Sequence, residues 1–341
     1  MPGSDPKKMP AEMPHDKPAR TADQPGTVAV VICAFSTPRW DATCEAMESI
    51  QAQTAAPVDT VLVIDHNPDL LTRAAAAFPK ATVIPNAGRQ GASAARNTGV
   101  AASGGEFIAF LDDDAVAAPD WLELMVPHFA RPEVVGVGGG CEPLWFTSRP
   151  RWFPPEFDWI VGASYVGMPV GAQPIRNVWS GNMILRRRIF NEIGGFNEDF
   201  SKVGKVARPE DTDLCLRAAA AQDHGTWMYE PAAICGHRVP ASREKVPFFL
   251  RRCLNEGRGK AGLAQLNGAA ATSSERQYAT KVLPRGIARG LGEAVRGDLS
   301  GAQRSLAITA GLSLATAGFV TSRMAQSVRG SRPVRRAAAG G

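Results

Sequence analysis

An apolar run that ends in three consecutive carboxylates is the feature that most constrains this chain. Residues 107–111 read Phe-Ile-Ala-Phe-Leu, and Asp112, Asp113 and Asp114 follow directly. A run this apolar is typical of a strand buried on both faces of a parallel sheet. Three crowded anions are costly unless a cation compensates them, and carboxylate oxygens suit Mg²⁺ or Mn²⁺. The pattern predicts a divalent metal where the strand ends. A cap for the helix that starts near Pro119 is the alternative.

Other apolar segments alternate with helical patterns along the chain. The β-branched run at residues 27–33 predicts a first, central strand, and residues 60–64 and 81–85 predict the next two. A helix is predicted at residues 40–53, and a further strand at residues 134–140. Strands and helices that alternate at these intervals predict an α/β fold with a mostly parallel sheet.

Two helix starts carry polar groups whose role the pattern leaves open. Residues 86–99 form a glycine-punctuated loop that runs into an Ala-rich helix containing Arg96. The glycine spacing fits neither the dinucleotide fingerprint nor the P-loop. The segment is therefore either a plain loop with a helix cap or a loop whose Arg96 reaches a bound anion. Glu210 and Asp211 open a later helix, where acids also suit the macrodipole of any helix.

Two other segments give weaker signals. Residues 141–176 are rich in Pro, Trp and Phe and lack clear periodicity, which is typical of a lid or binding loop. His237 follows a short apolar segment, and an isolated histidine is more often structural than a metal ligand.

Composition excludes several classes of protein. With 341 residues, 44% of them hydrophobic, the chain can bury a large core, so it is not disordered throughout. Its six cysteines include no Cys-x-x-Cys pair, and we expect reduced thiols in the cytosol rather than a zinc site or disulfide framework. Residues 1–25 contain six prolines and no apolar core of a secretory signal. We expect them, and the basic residues 326–341, to be disordered tails.

Charge is distributed unevenly along the chain. From Arg243 onward there are 17 Lys and Arg against 5 Asp and Glu, a net charge of +12, which leaves −7 for residues 1–242. Nucleic acid is not the expected partner because the basic residues lie largely on Gly- and Ala-rich helical stretches, whereas an anionic membrane surface fits. The uncharged run 306–322 would measure ~25 Å as a helix, short of the ~30 Å hydrocarbon core. We expect it to pack on the body or lie in the membrane interface, with a single span as the alternative.

Five motifs in a fixed order give the chain a family resemblance over residues 27–260. They are Ala34-Phe35, Asp65, Gly91-Ala92-Ser93-Ala94-Ala95-Arg96-Asn97, Asp112-Asp113-Asp114 and Glu210-Asp211-Thr212-Asp213-Leu214. With these motifs the sequence resembles the family 2 glycosyltransferases of the GT-A fold. The resemblance implies a Rossmann-like, mostly parallel sheet flanked by helices over residues 26–242, with a basic helical C-terminal extension over residues 243–325. It also implies inverting transfer of a hexose from a nucleoside diphosphate sugar to a hydroxyl.

The resemblance further implies roles for individual residues. The residues expected to bind the nucleotide sugar are Ala34, Phe35, Asp65, Arg96, Asp112 and Asp113. Those expected to hold Mn²⁺ or Mg²⁺ are Asp114, Asp112 and His237. Asp211 is the expected general base, with Glu210 beside it, and Trp179, Gly181 and Asn182 are expected to contact the acceptor. One departure is His66-Asn67-Pro68, where the family usually has Asp-Gly-Ser.

The resemblance and the basic C-terminal third together predict an enzyme at the cytoplasmic face of the plasma membrane. Its expected acceptor is a glycan or a polyprenyl-linked molecule in cell-surface glycan synthesis. A nucleotidyltransferase on a related sheet is an alternative, because two-metal phosphoryl chemistry also needs clustered carboxylates. A non-catalytic protein that binds nucleotide sugars or glycans is a second alternative.

Overall fold

The computed structural model describes residues 26–199, 210–267 and 276–330, and within these ranges the chain forms nine β-strands and nine α-helices. The strands are β1 Val28–Ala34, β2 Asp59–Ile64, β3 Thr82–Pro85, β4 Phe107–Asp112, β5 Ala115–Ala117, β6 Val134–Trp145, β7 Gln173–Ile175, β8 Asn182–Arg186 and β9 Thr226–Val239. The helices are α1 Trp40–Gln51, α2 Pro68–Ala77, α3 Ala92–Ala101, α4 Trp121–Met125, α5 Arg187–Glu192, α6 Glu210–Ala220, α7 Val246–Asn267, α8 Leu283–Val295 and α9 Leu299–Gly330.

One mixed sheet forms the centre of the described chain, in the order β3-β2-β1-β4-β8-β6-β9-β5, with β7 on β9. Strands β1 to β4 are parallel, and Val31 of β1 lies opposite both Val61 and Phe110. Two apolar clusters, one around Met47 and one around Phe190, cover the two faces of the sheet. Burial on both faces explains why these strands are apolar throughout. The predicted α/β fold with flanking helices is confirmed.

The half of the sheet beyond β4 is mixed rather than parallel. Strand β8 is antiparallel to both β4 and β6, β6 is parallel to β9, and β5 and β7 are antiparallel to β9. Parallel neighbours need a long crossover, usually an α-helix. Between β6 and β8 the chain forms only a 3₁₀ helix, Pro155–Val161, and the short strand β7. The two strands therefore pair in opposite directions.

The three aspartates lie in the connection between β4 and β5. Strand β4 ends at Asp112, and β5 begins directly after Asp114. Helix α4 begins only at Trp121, and the side chain of its N-cap residue Asp120 makes no capping hydrogen bond. The aspartates are therefore not in the first turn of α4, and the alternative that they cap this helix is wrong.

Helices α7 to α9 form the expected helical C-terminal region. The backbones of α7 and α9 touch: a methyl group at Gly257 would overlap the carbonyl oxygen of Ala315, and one at Gly318 would overlap that of Leu254. Gly311 of α9 likewise lies against Phe157 of the 3₁₀ helix. One face of α9 is thus packed on the body.

Helix α9 contains the uncharged run 306–322 and continues to Gly330. The predicted tail at residues 326–341 therefore begins too early, while residues 331–341 and the predicted tail at 1–25 lie outside the described residues. By length and composition alone, Leu299–Ala325 is apolar enough to cross a membrane, since it contains an 18-residue window with a mean hydropathy of 1.4. All six cysteines are free thiols.

Candidate active site

Three carboxylates meet two basic side chains where β4 ends. Asp113 and Asp114 are buried, and Asp112 is half-buried. Arg39, from the short 3₁₀ helix after β1, donates to Asp113 Oδ1 at 2.8 Å and lies 3.1 Å from Asp114 Oδ2. His237 Nε2, from β9, lies 3.3 Å from Asp114 Oδ1. Cationic groups from two other elements therefore face the acidic turn.

Asp112, Asp114 and His237 offer ligand atoms that all lie within 4.8 Å of one another. The pairing of β5 with β9, in which Ala115 lies opposite His237, brings them together. Among the described residues, His237 Nδ1 and Asp113 Oδ2 are buried without a hydrogen-bond partner. Two carboxylates and an imidazole form a donor set that suits Mn²⁺ or Mg²⁺. The three predicted ligands thus lie close enough together to hold one ion.

The neighbouring cations control which of these carboxylates is ionised. Burial raises the pKa of Asp113 to about 7, and the charge of Arg39 opposes this only in part. Burial would also raise the pKa of Asp114, but the hydrogen bond and charge of His237 and the charge of Arg39 outweigh it and lower that pKa. Asp114 is therefore the carboxylate held in the charged form that a metal ligand requires.

Arg96 connects this cluster to a second acidic group. Its Nη2 atom donates to Asp112 Oδ1 at 3.0 Å, and its Nη1 atom lies 3.6 Å from Glu210 Oε1. The residue is only 7% exposed, so it bridges the two acidic groups from inside the protein. Its expected support of the nucleotide stays a prediction. Because one guanidinium touches both groups, the Asp cluster and the start of α6 share one cleft.

Glu210 and Asp211 form the acidic start of α6. Burial and the neighbouring Asp211 raise the pKa of Glu210 to about 7, against the opposing charge of Arg96. Burial also raises the pKa of Asp211, although Asp211 Oδ1 accepts a hydrogen bond from Thr212 N at 2.7 Å. A carboxylate with a raised pKa accepts a proton more readily, which is the property required of a general base.

Helix α7 lies beside this acidic pair. The charges of Lys260 and Glu256 both affect the pKa of Asp211. Arg252 Nη1 donates to Glu256 Oε2 at 3.0 Å, and Lys260 Nζ lies 3.6 Å from Glu256 Oε1. These residues are spaced four apart and therefore share one helical face. Helix α7 therefore presents a charged face toward Asp211. The adjacent face of the helix carries the buried residue Cys253.

Sequence reasoning missed two basic residues of this cleft, Arg39 and Arg243. Arg243 lies on the 3₁₀ helix Ala241–Glu244, and its charge lowers the pKa of Asp114. Within the described ranges Arg243 has no acidic partner in ion-pair contact. Only Arg39 had a usable signal in the sequence, because it closes the loop at the carboxyl end of β1, where ligands of α/β sheets bind.

Asp65 is held firmly at the carboxyl end of β2. Its Oδ1 atom accepts a hydrogen bond from Asn86 Nδ2 at 2.7 Å and lies 2.8 Å from His66 Nδ1. Its Oδ2 atom accepts from the backbone N–H of Gly91 at 2.9 Å. Asp65 therefore fixes the glycine loop that precedes α3. Because Oδ2 has a single hydrogen-bond partner among the described residues, we expect this atom to make the predicted contact with the nucleotide.

The loop after β1 holds the other predicted nucleotide contacts. Phe35 is exposed, and the guanidinium carbon of Arg39 lies 5.5 Å from its ring centroid. Ala34 is buried, and its carbonyl oxygen accepts from Asp65 N at 2.8 Å. Ala34 thus joins β1 to the end of β2, and its contact with the nucleotide stays a prediction, while Phe35 offers an aromatic face at the cleft.

The three residues predicted to contact the acceptor also differ in their surroundings. Gly181 lies against Asp112, because a methyl group there would overlap the carboxylate, and Trp179 is half-buried nearby. Asn182 is 2% exposed, accepts from Trp121 Nε1 at 2.7 Å and donates to Gly140 O at 2.7 Å. Both ends of its amide are used inside the protein. The prediction that Asn182 contacts the acceptor is therefore wrong.

Comparison with known proteins agrees with this architecture. The family described as Glycosyl transferase family 2 matches residues 29–194. Glucosyl-dolichyl phosphate glucuronosyltransferase of Haloferax volcanii is 30% identical over 238 residues, which are 68% of this chain and 76% of the relative. Pre-mycofactocin glycosyltransferase of Mycobacterium tuberculosis is 31% identical over 152 residues, which are 43% of this chain and 30% of that protein.

A solved structure shares the fold. The mannosyltransferase PcManGT from Pyrobaculum calidifontis superposes with a TM-score of 0.55 at 17% identity, over 93% of this chain and 92% of that one. The sheet, the helices and the sequence relatives lead to the same conclusion: this chain belongs to glycosyltransferase family 2, has the GT-A fold and is a glycosyltransferase.

Proposed function

We propose that this glycosyltransferase moves a sugar from a nucleoside diphosphate sugar to a hydroxyl of a glycan or polyprenyl-linked acceptor, with inversion at the anomeric carbon. The acceptor oxygen forms a bond to that carbon as the bond to the diphosphate breaks. Asp211 takes the proton of the hydroxyl, and the diphosphate leaves with the electron pair. The proposed place of reaction is the cytoplasmic face of the plasma membrane, in cell-surface glycan synthesis.

This proposal rests on the guanidinium of Arg96, which lies beside both Asp112 and Glu210. Inverting transfer needs one group that stabilises the leaving diphosphate and a second that removes a proton on the opposite side of the sugar. Contacts of 3.0 Å to Asp112 and 3.6 Å to Glu210 place the two acidic groups within the reach of one side chain. A cleft with both groups supports displacement in a single step.

Asp112, Asp114 and His237 are the residues that we assign to a divalent metal. When bound, Mn²⁺ or Mg²⁺ would act as a Lewis acid toward the phosphate oxygens. Arg39 and Arg243 supply further positive charge beside Asp114, where it would favour the departing anion. Phe35 offers a ring on which the base of the nucleotide stacks.

Asp211, beside Glu210, is the residue that we assign as the general base. A positioned base accelerates such a step by about 10²- to 10⁴-fold, provided that its pKa suits the working pH. Burial raises the pKa of Asp211. Lys260 of α7 stabilises the carboxylate that must exist before the proton is taken.

Similar proteins support the choice of substrates. The name of the Haloferax relative specifies glucosyl-dolichyl phosphate, a polyprenyl-linked molecule. The solved Pyrobaculum mannosyltransferase is a complex with GDP-Man and Mn²⁺. Membership of family 2 favours sugar transfer over the nucleotidyltransferase and the non-catalytic alternatives.

A thermal-shift screen tests the donor and metal assignments. UDP, GDP and their sugars are added with and without Mn²⁺, because a ligand that binds only the folded state raises the melting temperature. We expect one nucleoside diphosphate to stabilise the protein and Mn²⁺ to increase the shift. Asp114→Asn removes the Mn²⁺-dependent part, whereas Asp223→Asn, at an exposed position, leaves it intact.

Product analysis with the donor identified in this way tests the reaction. Release of a nucleoside diphosphate supports sugar transfer. Release of pyrophosphate, or saturable binding without any product, would contradict it.

A further inference from the structure

We propose that the hairpin of α8 and α9 is an in-plane membrane anchor, whose exposed apolar side chains enter the interface of an anionic bilayer while the helices remain packed on the protein. This inference deepens the proposed location of the enzyme. It does not rest on the assigned catalytic residues, because membrane binding is measured without turnover.

Exposed apolar side chains concentrate on this hairpin. Leu291 and Val295 of α8 are 53% and 90% exposed, and Leu299 and Leu306 of α9 are 75% and 70% exposed. We call these four residues the apolar tip, since three of them lie within two turns of the connection between the helices. Large apolar side chains this exposed, and this close together, mark a surface for a partner or a membrane.

The charges around the apolar tip are basic. Residues 276–325 contain seven Lys and Arg against two Asp and Glu, a net charge of +5. Both acids are already paired with basic side chains: Arg304 Nη2 lies 2.6 Å from Glu293 Oε2 and 2.8 Å from Asp298 Oδ2, Arg289 Nε lies 3.8 Å from Glu293 Oε1, and Arg151 Nη2 lies 3.6 Å from Asp298 Oδ1. Arg285 and Arg296 are exposed and have no ion-pair partner in the described ranges. Apolar side chains with a basic rim complement an anionic lipid surface.

The packing of α9 favours a helix that lies in the interface over one that spans the bilayer. Its buried side includes Ile308, Gly311 and Gly318, and Gly318 meets the backbone of α7 directly. A spanning helix would have to leave this contact and expose the aromatic cluster around Phe157 and Phe249. Leaving these contacts would expose the apolar surface that they bury, a cost that insertion of the exposed face alone avoids.

The hairpin itself is a rigid unit. A methyl group at Gly290 of α8 would overlap the carbonyl oxygen of Gly301 in α9, so the two helices touch without intervening side chains. Ser305 Oγ also donates to Ile287 O at 2.9 Å. The apolar tip is therefore presented by a preformed scaffold and needs no refolding to enter lipid.

Vesicle flotation of the full-length protein tests the proposal. The vesicles contain phosphatidylcholine with about one third phosphatidylglycerol, or phosphatidylcholine alone. We expect binding to the anionic vesicles that weakens with added salt, because salt screens the attraction of the basic rim. Val295→Asp should weaken binding by about tenfold or more, since it removes an inserted apolar group and adds a repelled charge.

Val58→Asp is the matched control, because it makes the same substitution at a 43% exposed position. Val58 directly precedes β2 and thus lies at the amino end of this strand, whereas the cleft lies at the carboxyl ends of the strands. This variant should bind like the wild type. The melting temperatures of both variants, and the shift caused by the nucleoside diphosphate, show whether either substitution damages the fold or the cleft.

Three results would overturn the anchor. Equal vesicle binding by Val295→Asp and the wild type would show that the tip is not inserted. Resistance to extraction with alkaline carbonate would identify a spanning helix. Dimerisation that Val295→Asp abolishes, without vesicle binding by the wild type, would assign the tip to a second copy of this chain. Failure of the nucleotide shift alone would count against the proposed chemistry and leave the anchor standing.

Discussion

Replacing Arg96 by methionine tests the idea that one buried cation holds the two acidic groups together. The substitution keeps much of the side-chain volume but removes the charge that lies 3.0 Å from Asp112 and 3.6 Å from Glu210. At these distances and an effective dielectric constant of about 20, Coulomb's law gives about 5 kcal/mol per pair. The side chain of Asp112 is more than one third exposed, so solvent screens its share.

We therefore expect Arg96→Met to lower the free energy of unfolding by about 3–5 kcal/mol, the usual loss when one partner of a buried ion pair is removed. Arg89→Met is the matched control. Arg89 pairs with Asp199 at 2.9 Å, but both side chains are exposed. Such surface pairs contribute about 0–1 kcal/mol.

The effect should also depend on pH. Burial raises the pKa of Glu210 from its ordinary value of 4.5 to about 7, so the folded state holds this proton more tightly than the unfolded state does. Stability contributed by that proton is present at low pH and is lost as the pH rises to about 7. Without Arg96 the pKa of Glu210 rises further, and the loss of stability becomes larger at about pH 8 than at about pH 6.

Urea unfolding of both variants at the two pH values, in buffer without added metal, measures these differences. A loss at about pH 8 that is no larger for Arg96→Met than for Arg89→Met would refute the reasoning, because a buried and an exposed arginine would then contribute equally. A loss that is larger at the lower pH would refute the assigned role of Glu210.

Three further predictions follow from the same cleft. Asp211→Asn should lower turnover by about 10²- to 10⁴-fold in a product assay and leave the thermal shift with nucleoside diphosphate unchanged, because the amide keeps the shape but not the basicity. Turnover above a tenth of the wild type would contradict this role. In a pH profile, activity should rise through neutral pH as the acidic pair ionises, because burial raises the pKa of Glu210 to about 7 and also raises the pKa of Asp211; activity that falls over this range would count against a carboxylate as the base. Gly257→Ala should destabilise the fold by about 1–3 kcal/mol in urea unfolding because its methyl group overlaps Ala315 O, whereas Gly262→Ala, with open space around it, should not.

The part of the fold that sequence reasoning predicted is the part encoded locally. Strands β1 to β4 are apolar because they are buried on both faces, and that pattern is visible in the sequence alone. The mixed half is set by partners far along the chain, such as the pairing of Leu111 with Asn182 across β4 and β8. No local pattern specifies such a partner, so the sequence did not predict the antiparallel pairings of this half.

The same distinction applies to the cleft. The Asp cluster and the acidic start of α6 are visible because acids next to an apolar run are unusual. Arg243 and Lys260 are basic residues within a basic segment, and only the folded chain shows that they approach Asp114 and Asp211. Asn182 is the opposite case, because sequence reasoning assigned a binding role to a residue that is structural. A polar residue in an apolar strand resembles a binding group, but its amide is fully used by Trp121 and Gly140.

At Gly257 and Gly318 the backbones of α7 and α9 touch without an intervening side chain, which couples the two helices closely. Tilting of α9 on a bilayer would carry α7 with it, and Glu256 and Lys260 would shift as one piece past the base. Lipid composition would then set the reaction rate through a mechanical linkage. Rates measured with a fixed amount of acceptor on vesicles of increasing anionic content should change in the wild type and stay constant in Val295→Asp.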